Sequence, residues 1–392
     1  MNNAHIISIG SLASFSRGLT YSGSDEVDYS SNVVLRSNNI DLATNTLNFD
    51  ELKYISDAIN IPEDKKLQRN SIFMCMSNGS KQHLGKVAFI DRDYPYAFGG
   101  FMGLIKPKED IIIPKLLYYY FCSSKFKGFL SSIGNGANIN NIKFVDIAKN
   151  HISVPEKTTQ QSIIEELDKI NELIRLKKEQ LKDYDNLAQS IFYEMFGDPV
   201  VNEKGWGIKK LGNFCEIGTG STPSRKNKEY YEGSISWVKS TEVSNCVIDS
   251  TEEHISEIAI AETNCTIYPK GTILIAMYGQ GKTRGQIAIL NIEATTNQAV
   301  AAILPSEFCE KFFLYHCLHL MYDNIRSMAR GGNQANLNLA IVRSINIILP
   351  PLPLQQLFAK RIELIEQQKA EIQTTIADLE TLLASRMQYW FD

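Results

Sequence analysis

A chain of 392 residues has room for two or three domains, and 44% hydrophobic with 21% charged residues is the balance of an ordinary globular protein. No apolar run approaches the roughly 20 residues of a membrane helix. Met1-Asn2-Asn3-Ala4-His5 lacks the basic-then-apolar order of a signal peptide, so no membrane association and a cytoplasmic setting are expected. Seven scattered cysteines without a CxxC pair fit reduced thiols better than a disulfide framework or a zinc site. The net charge of −4 speaks against a nucleic-acid partner, but it is unevenly spread. Residues 1–150 hold 16 Lys/Arg against 14 Asp/Glu, 151–197 hold 6 against 9, 198–350 hold 14 against 15, and 351–392 hold 4 against 6. A mildly acidic chain can still bind DNA through local basic loops.

The elements run as follows. Ser71–Met76, Val87–Ile90 and Phe101–Ile105 read as strands between Gly, Asn and Ser turns. Pro114 opens an apolar helix over Lys115–Leu130. From Thr158 to Phe196 there is neither Pro nor Gly. Ile163, Leu167, Ile170, Ile174, Leu181, Tyr184, Ala188 and Ile191 recur there at three and four, with Lys177 the one weak position, a heptad-like stripe. Gly197-Asp198-Pro199 ends it. The same order then returns: strands at Thr272–Met277 and Ile287–Leu290, a helix over Glu310–Met328, and a second long stripe, Ile362, Ile365, Ile372, Ile376, Leu379 and Leu383.

The return is a duplication. Gly134-Asn135-Gly136-Ala137-Asn138-Ile139-Asn140 reappears as Gly332-Asn333-Gln334-Ala335-Asn336-Leu337-Asn338. Gly10 aligns with Gly212, Gly18 with Gly220, Arg36 with Lys239, Gly85-Lys86-Val87-Ala88 with Gly285-Gln286-Ile287-Ala288, and Gln160-Gln161 with Gln355-Gln356. So long a period is a tandem domain duplication and not a solenoid. The expected class is α+β: a mixed domain over 1–155, a long helix over 156–197, a second mixed domain over 198–351 and a second helix over 352–392. Each helix, roughly 58 Å at 1.5 Å per residue, has an apolar stripe that needs covering. The simplest arrangement is an antiparallel coiled coil between the two, with the mixed domains at opposite ends and the acidic outer faces open to other subunits.

Chemistry-bearing residues gather in loops. Asn78-Gly79-Ser80-Lys81-Gln82-His83 in the first copy and Gln280-Gly281-Lys282-Thr283-Arg284 in the second join the same pair of strands. Both are polar and basic, but their identities differ. Two readers of different base sequences would look like this, with Lys and Arg suited to guanine or phosphate and Gln to adenine. Ordinary solvated turns have the same composition. Ser221, Thr222, Ser224, Arg225 and Lys226 form a second basic loop, which could equally cap a helix, and Arg17 and Tyr21 hold its place in the first copy. Arg36, Lys86 and Lys239 complete the set of candidate DNA contacts. The two Gly-Asn-rich loops are too alike to read different sequences and are expected to close each domain as structural turns.

Catalysis is not indicated. Ala276–Thr283 fits a loose phosphate-loop pattern, but the sequel Arg284–Leu290 alternates like a strand where a true phosphate loop opens a helix. No ligand-spaced His or Cys cluster and no nucleophile elbow appears, nor the Asp/Asn-Pro-Pro-aromatic stretch of amino-methyltransferases. Glu165-Glu166 and Glu252-Glu253 read as solvated acidic faces.

In sum, the chain resembles the DNA-specificity subunit of type I restriction–modification systems. The likeness rests on Gly218-x-Gly220-Ser221-Thr222-Pro223-Ser224, Thr296-Asn297-Gln298-Ala299-Val300, Gly332-Asn333-Gln334-Ala335-Asn336-Leu337, Pro350-Pro351-Leu352 with Gln355-Gln356, and Met195-Phe196-Gly197-Asp198-Pro199. The resemblance implies two target-recognition domains reading the halves of a gapped double-stranded DNA sequence in host defence. It implies a helix pair that sets the gap and docks two methyltransferase subunits, with restriction subunits joining them. It puts no catalysis and no cofactor on this chain, leaving S-adenosylmethionine, ATP and magnesium to the partners. The first copy departs from the pattern: Arg17-Gly18-Leu19-Thr20 replaces the Gly-Ser-Thr-Pro turn, and Phe98-Gly99-Gly100 replaces Asn297-Gln298-Ala299. The bottom-up alternative is a coiled-coil adaptor with two protein-binding heads.

Overall fold

A computed structural model describes residues 4–133, 141–279, 281–329 and 336–392. Compactness divides the chain into two units that cut across the four-part reading: Met1–Lys178 with Thr375–Asp392, and Glu179–Thr374. Each unit takes one mixed domain and part of both long helices.

Among its described residues unit 1 holds ten short strands: β1 (His5–Ser8), β2 (Ala13–Arg17), β3 (Glu26–Val27), β4 (Asn32–Leu35), β5 (Lys53–Ile55), β6 (Ser71–Cys75), β7 (Val87–Ile90), β8 (Ala97–Phe98), β9 (Met102–Pro107) and β10 (His151–Val154). They form sheets of order β2-β9-β6-β7 and β3-β5-β4-β8, and a β1-β10 pair. Unit 2 repeats the plan with β11 (Ile208–Lys210), β12 (Ile217–Thr219), β13 (Ile235–Val238), β14 (Cys246–Ile248), β15 (Glu253–Ile255), β16 (Ile273–Ala276), β17 (Ile287–Leu290), β18 (Thr295–Thr296), β19 (Val300–Ile303) and β20 (Asn346–Ile348). Its sheets run β12-β19-β16-β17-β14 and β15-β13-β18, with a β11-β20 pair. The central strands β6, β16 and β17 are near-continuous apolar runs because both of their faces are covered.

Two glycines show why the copies share this frame. A Cβ on Gly18 would lie 2.1 Å from the Gly99 carbonyl oxygen, and one on Gly220 would lie 1.8 Å from that of Thr296. At the same point in each unit a strand leaving one sheet crosses the backbone of the other, and only a residue without a side chain fits.

The apolar segment expected as one helix is broken in both copies, into Pro114–Cys122 and Ser124–Ile133, and into Lys311–Leu320 and Tyr322–Ser327. In unit 1 Ser123 makes the break. Its hydroxyl donates to the Tyr120 carbonyl at 2.6 Å and accepts from the Phe126 amide at 3.3 Å, a local bonding pattern that competes with helix continuation.

The long helices run Lys157–Phe196 and Leu352–Phe391, 40 residues each. Within each unit they are antiparallel. In unit 1 Lys178 pairs with Glu380 at 2.8 Å, while further back Glu166 accepts from Arg386 at 3.0 Å and from the Trp390 indole at 2.9 Å. In unit 2 Lys369 pairs with Asp185 at 2.8 Å, and Phe358 packs on Phe192 and Phe196 at 5.5 and 5.4 Å. The stripe positions Ile163, Leu167, Ile170, Ile174, Ala188, Ile362, Ile365, Ile372 and Ile376 are buried, as an intramolecular coiled coil requires. Glu166 is therefore a helix-pairing residue rather than part of a merely solvated face.

The helices also enter the domain cores. Ile163, Ile164, Leu167, Met387 and Phe391 join the unit 1 core with Tyr120 and Phe126, and Phe192, Phe196 and Phe358 join the unit 2 core with Phe313. The repeated glutamine is a buried clasp at this junction. Gln160 accepts from the Ile113 amide at 2.8 Å and donates to the Pro155 carbonyl at 2.8 Å. Gln355 accepts from the Glu310 amide at 2.9 Å and donates to the Pro350 carbonyl at 2.8 Å. Each satisfies backbone groups that burial would otherwise leave unpaired.

Candidate nucleic-acid interface

Strand register puts the candidate loops at one end of the β2-β9-β6-β7 sheet in unit 1 and of the β12-β19-β16-β17-β14 sheet in unit 2. In unit 2, Thr219 at the end of β12 lies opposite Ala301, and Ala276 at the end of β16 lies opposite Val300, the first residue of β19. β17 starts at the same end, with Ile287 opposite Ile275. The loop after Thr219, the loop from Met277 to Gln286 and the segment Asn297–Ala299 therefore emerge together. They are tied: the Met277 amide donates to Ala299 O at 2.8 Å, the Gly220 amide to Thr296 Oγ1 at 3.1 Å, and the Thr222 hydroxyl to Gln298 Oε1. In unit 1 the same logic holds, with Arg17 opposite Gly103 and Cys75 opposite Met102, while the Leu19 amide donates to Phe98 O at 2.7 Å.

The Met277–Gln286 loop is a hairpin loop. It joins antiparallel strands and no helix follows it, so the phosphate-loop pattern has no helix N-terminus to hold a nucleotide, and that reading falls. Gly285 (φ +86°) and its counterpart Gly85 (φ +77°) turn the chain back into the sheet. A brace from the helix Tyr322–Ser327 fixes the loop. The Tyr322 hydroxyl donates to Lys282 O at 2.6 Å, and the Arg326 guanidinium to Arg284 O at 2.7 Å and Gly281 O at 2.9 Å. With its carbonyls held, the exposed Lys282 side chain, beside half-buried Thr283 and Arg284, projects from a rigid base. Gln280 lies outside the described residues. No sequence signal marks this brace, because Tyr322 and Arg326 are about 40 residues from the loop they hold.

The Ser221–Lys226 loop starts no helix; the next helical turn is Lys228–Tyr231, so the capping alternative fails. Thr222, Ser224, Arg225 and Lys226 are exposed, whereas Ser221 is half-buried and its carbonyl accepts from the Trp237 indole at 3.0 Å. Arg225 stacks over Tyr231 at 4.2 Å and bonds Glu253 at 2.5 and 3.2 Å. Lys239 reaches Glu252 at 2.7 Å and Glu253 at 3.1 Å. Glu253 is thus a counter-charge shared by both cations, while Glu252 keeps 71% of its side chain exposed. Bonding to Arg225 and Lys239 holds the Glu253 carboxyl below its ordinary pKa, while Glu252 and Glu253 raise that of Lys239. Two candidate phosphate contacts are brought together here, but on a shared acid. That pairing links residues far apart in sequence and could not be read from it.

In unit 1, Arg17 is exposed and its Nε donates to Gly100 O at 3.2 Å. Half-buried Tyr21 packs against Val34, Ile55 and Ala97, and burial raises its pKa. Arg36 and Lys239 occupy matching turns. The Arg36 amide bonds Asn39 Oδ1 at 2.8 Å, and the Lys239 amide bonds Glu242 Oε2 at 2.8 Å. Arg36 Nε is buried, with no hydrogen-bond partner among the described residues. Lys81–His83 forms a single turn, with Gln82 exposed and His83 half-buried; the Lys81 side chain lies outside the described part. Asn78 Nδ2 donates to Ser37 Oγ at 3.0 Å, joining this loop to the Arg36 turn. Lys86 is a correction. Only 8% exposed, it donates to the Ile40 carbonyl at 2.8 Å, and burial lowers its pKa, so it binds the fold together instead of facing a ligand. Of the two Gly-Asn-rich loops, 134–140 lies wholly and 332–338 partly (332–335) outside the described residues.

No cluster of three or more metal-ligating His, Cys, Asp or Glu occurs, and no helix is long and apolar enough to cross a membrane, among the described residues.

Residues 1–183 and 203–381 match the family profile of the type I restriction modification DNA specificity domain. The MjaIX specificity subunit of Methanocaldococcus jannaschii is 24% identical over 280 residues, covering 67% of this chain and 64% of that protein, somewhat less than two thirds of its length. The StySPI specificity subunit of Salmonella potsdam is 22% identical over 376 residues, covering 91% and 80%. Among solved structures, a chain from work on complex assembly and conformational transition of the type I R-M system aligns over 99% of this chain and 97% of its own (TM-score 0.59, 16% identity). The type I S subunit from M. genitalium aligns over 100% and 96% (TM-score 0.57, 15% identity). At these identities the likeness supports the fold.

Proposed function

We propose a function from one premise: the chain belongs to the type I restriction–modification DNA-specificity family. It is a sequence-reading subunit of such a complex. Each unit contacts one half of a two-part double-stranded DNA target, and the chain itself does no chemistry. The observation that carries this reading is the sheet-end convergence: in both units three connections leave the sheet at the same end, all three polar or cationic in unit 2 and two of the three in unit 1, where the third is Gly99-Gly100-Phe101. The frame repeats while the loop side chains differ, as expected of two readers of different bases.

The partners follow from the family. Two methyltransferase subunits would bind the outer faces of the long helices, and restriction subunits would join them in the cytoplasm. S-adenosylmethionine, ATP and magnesium would belong to those partners. The chain supplies register and base contacts: Lys282 and Lys226 reach phosphate or guanine, and Thr222 and Ser224 add hydroxyls for the backbone.

The test is to express the chain with its methyltransferase partner in a host free of other DNA methylation and to map methylated bases. One two-part motif with a fixed gap is expected. A stable complex without any motif would contradict DNA reading and favour a protein-binding adaptor.

A further inference from the structure

The segments leading into β9 and β19 share one backbone frame. The Gly99 amide donates to Leu35 O at 2.9 Å, and the Asn297 amide to Val238 O at 3.0 Å. The Met102 amide donates to Gly99 O at 2.8 Å, and the Val300 amide to Asn297 O at 3.3 Å. The Met76 amide donates to Phe101 O at 3.0 Å, and the Met277 amide to Ala299 O at 2.8 Å. Gly99 thus corresponds to Asn297, Gly100 to Gln298 and Phe101 to Ala299, which shifts by one residue the sequence alignment that set Phe98-Gly99-Gly100 against Asn297-Gln298-Ala299. The bonds agree and the side chains do not.

Phe101 is 71% exposed. Its carbonyl also accepts from the Ser77 amide at 3.1 Å, and the preceding carbonyl accepts from Arg17 Nε at 3.2 Å. A single exposed apolar residue is unremarkable on a protein surface. This one stands on a fixed backbone, next to Gly100, whose carbonyl the candidate phosphate contact Arg17 binds, at the sheet end where the unit 1 loops converge. Its ring adds little to the core, and the equivalent residue in unit 2 has only a methyl group.

We propose that Phe101 is a specificity-determining base contact of unit 1, packing its ring on the C5-methyl of a thymine in the major groove. Aromatic contact with that methyl separates T·A from C·G without a hydrogen bond. The inference rests on the DNA-reading function proposed above and assigns a substrate feature to one of its two readers.

The test uses the full chain with its methyltransferase partner. For Phe101→Ala, discrimination at one thymine position of one half-site should fall about tenfold, with the other half-site unchanged. The melting temperature should hold, since the ring is exposed. Binding to duplexes in which uracil replaces that thymine, removing only the methyl, should weaken wild type by a similar factor and leave Phe101→Ala unaffected. An unchanged motif for Phe101→Ala, or uracil and Phe101→Ala effects that simply multiply, would overturn the proposal while DNA reading stood. Absence of any motif for the wild-type chain would remove both.

Discussion

The two sheet ends differ in where their charge is held. In unit 2, Arg225 and Lys239 lean on Glu253, and the hairpin that presents Lys282 is braced by Tyr322 and Arg326. In unit 1, Lys86 has been drawn into the interior to bond Ile40, the hairpin is tied to the Arg36 turn through Asn78 and Ser37, and an exposed phenyl ring stands where unit 2 has Ala299. Duplication preserved the bonds that fix the backbone, whereas the groups free to meet a ligand diverged. Under the proposed function, affinity through phosphate and specificity through bases would be distributed differently in the two units.

The largest effect should come from the cores beneath those ends. Phe313 packs at 4.8 Å on Phe196 and 5.6 Å on Phe192, and Phe126 packs at 4.7 Å on Phe121. Phe313→Ala and Phe126→Ala should each cost about 3–5 kcal/mol. Denaturant unfolding followed by hydrogen exchange should assign the loss to unit 2 and unit 1 respectively, and loss in both units from either change would show that they are not separate.

Acid should separate the units next. Burial, with help from His319 and Lys369, holds His316 far below its usual pKa, at about 3. The unfolded chain takes up this proton near pH 6.5 and the folded chain does not until much lower. The stability it contributes is therefore complete above about pH 6.5 and is lost as pH falls toward 3, by about 1.4 kcal/mol per pH unit at most. Hydrogen exchange against pH should show unit 2 loosening over that window, and His316→Phe should flatten the slope.

The smallest effect should be at the counter-charge. Glu253→Gln removes the acid shared by Arg225 and Lys239, so non-specific DNA affinity should rise a few-fold and the salt slope should steepen by about one phosphate contact. Fluorescence anisotropy at several salt concentrations reads both. A fall in affinity would mean that Glu253 positions these cations for DNA instead of restraining them.

Much of this architecture was legible because it obeys periodicity. The β6, β7, β16 and β17 runs and both long helices lie within a few residues of their expected limits, since apolar spacing of two or of three-and-four reports directly on burial. The helix break at Ser123 was hidden because a hydroxyl capping its own chain leaves no trace in an apolar pattern. The site was legible as loops but not as contacts. Lys86 looked like a surface cation until Ile40 O was found beside it, and Glu252-Glu253 looked solvated until β15 brought Glu253 to Arg225. Long-range pairing decides which charges are free, and a single sequence carries little of it. The repeated glutamines show the converse: Gln160 and Gln355 stood out in the sequence only as matching repeat positions, and the structure gives them the same clasp.

The most direct measurement is the target motif of the chain carrying Lys282→Ala and Arg284→Ala, mapped with its methyltransferase partner beside wild type. If each unit reads its own half-site, discrimination should fall by about 1–3 kcal/mol per lost base contact in one half of the motif, and the other half and the gap should stay as they are. Equal relaxation of both halves, or a motif identical to wild type, would contradict the account.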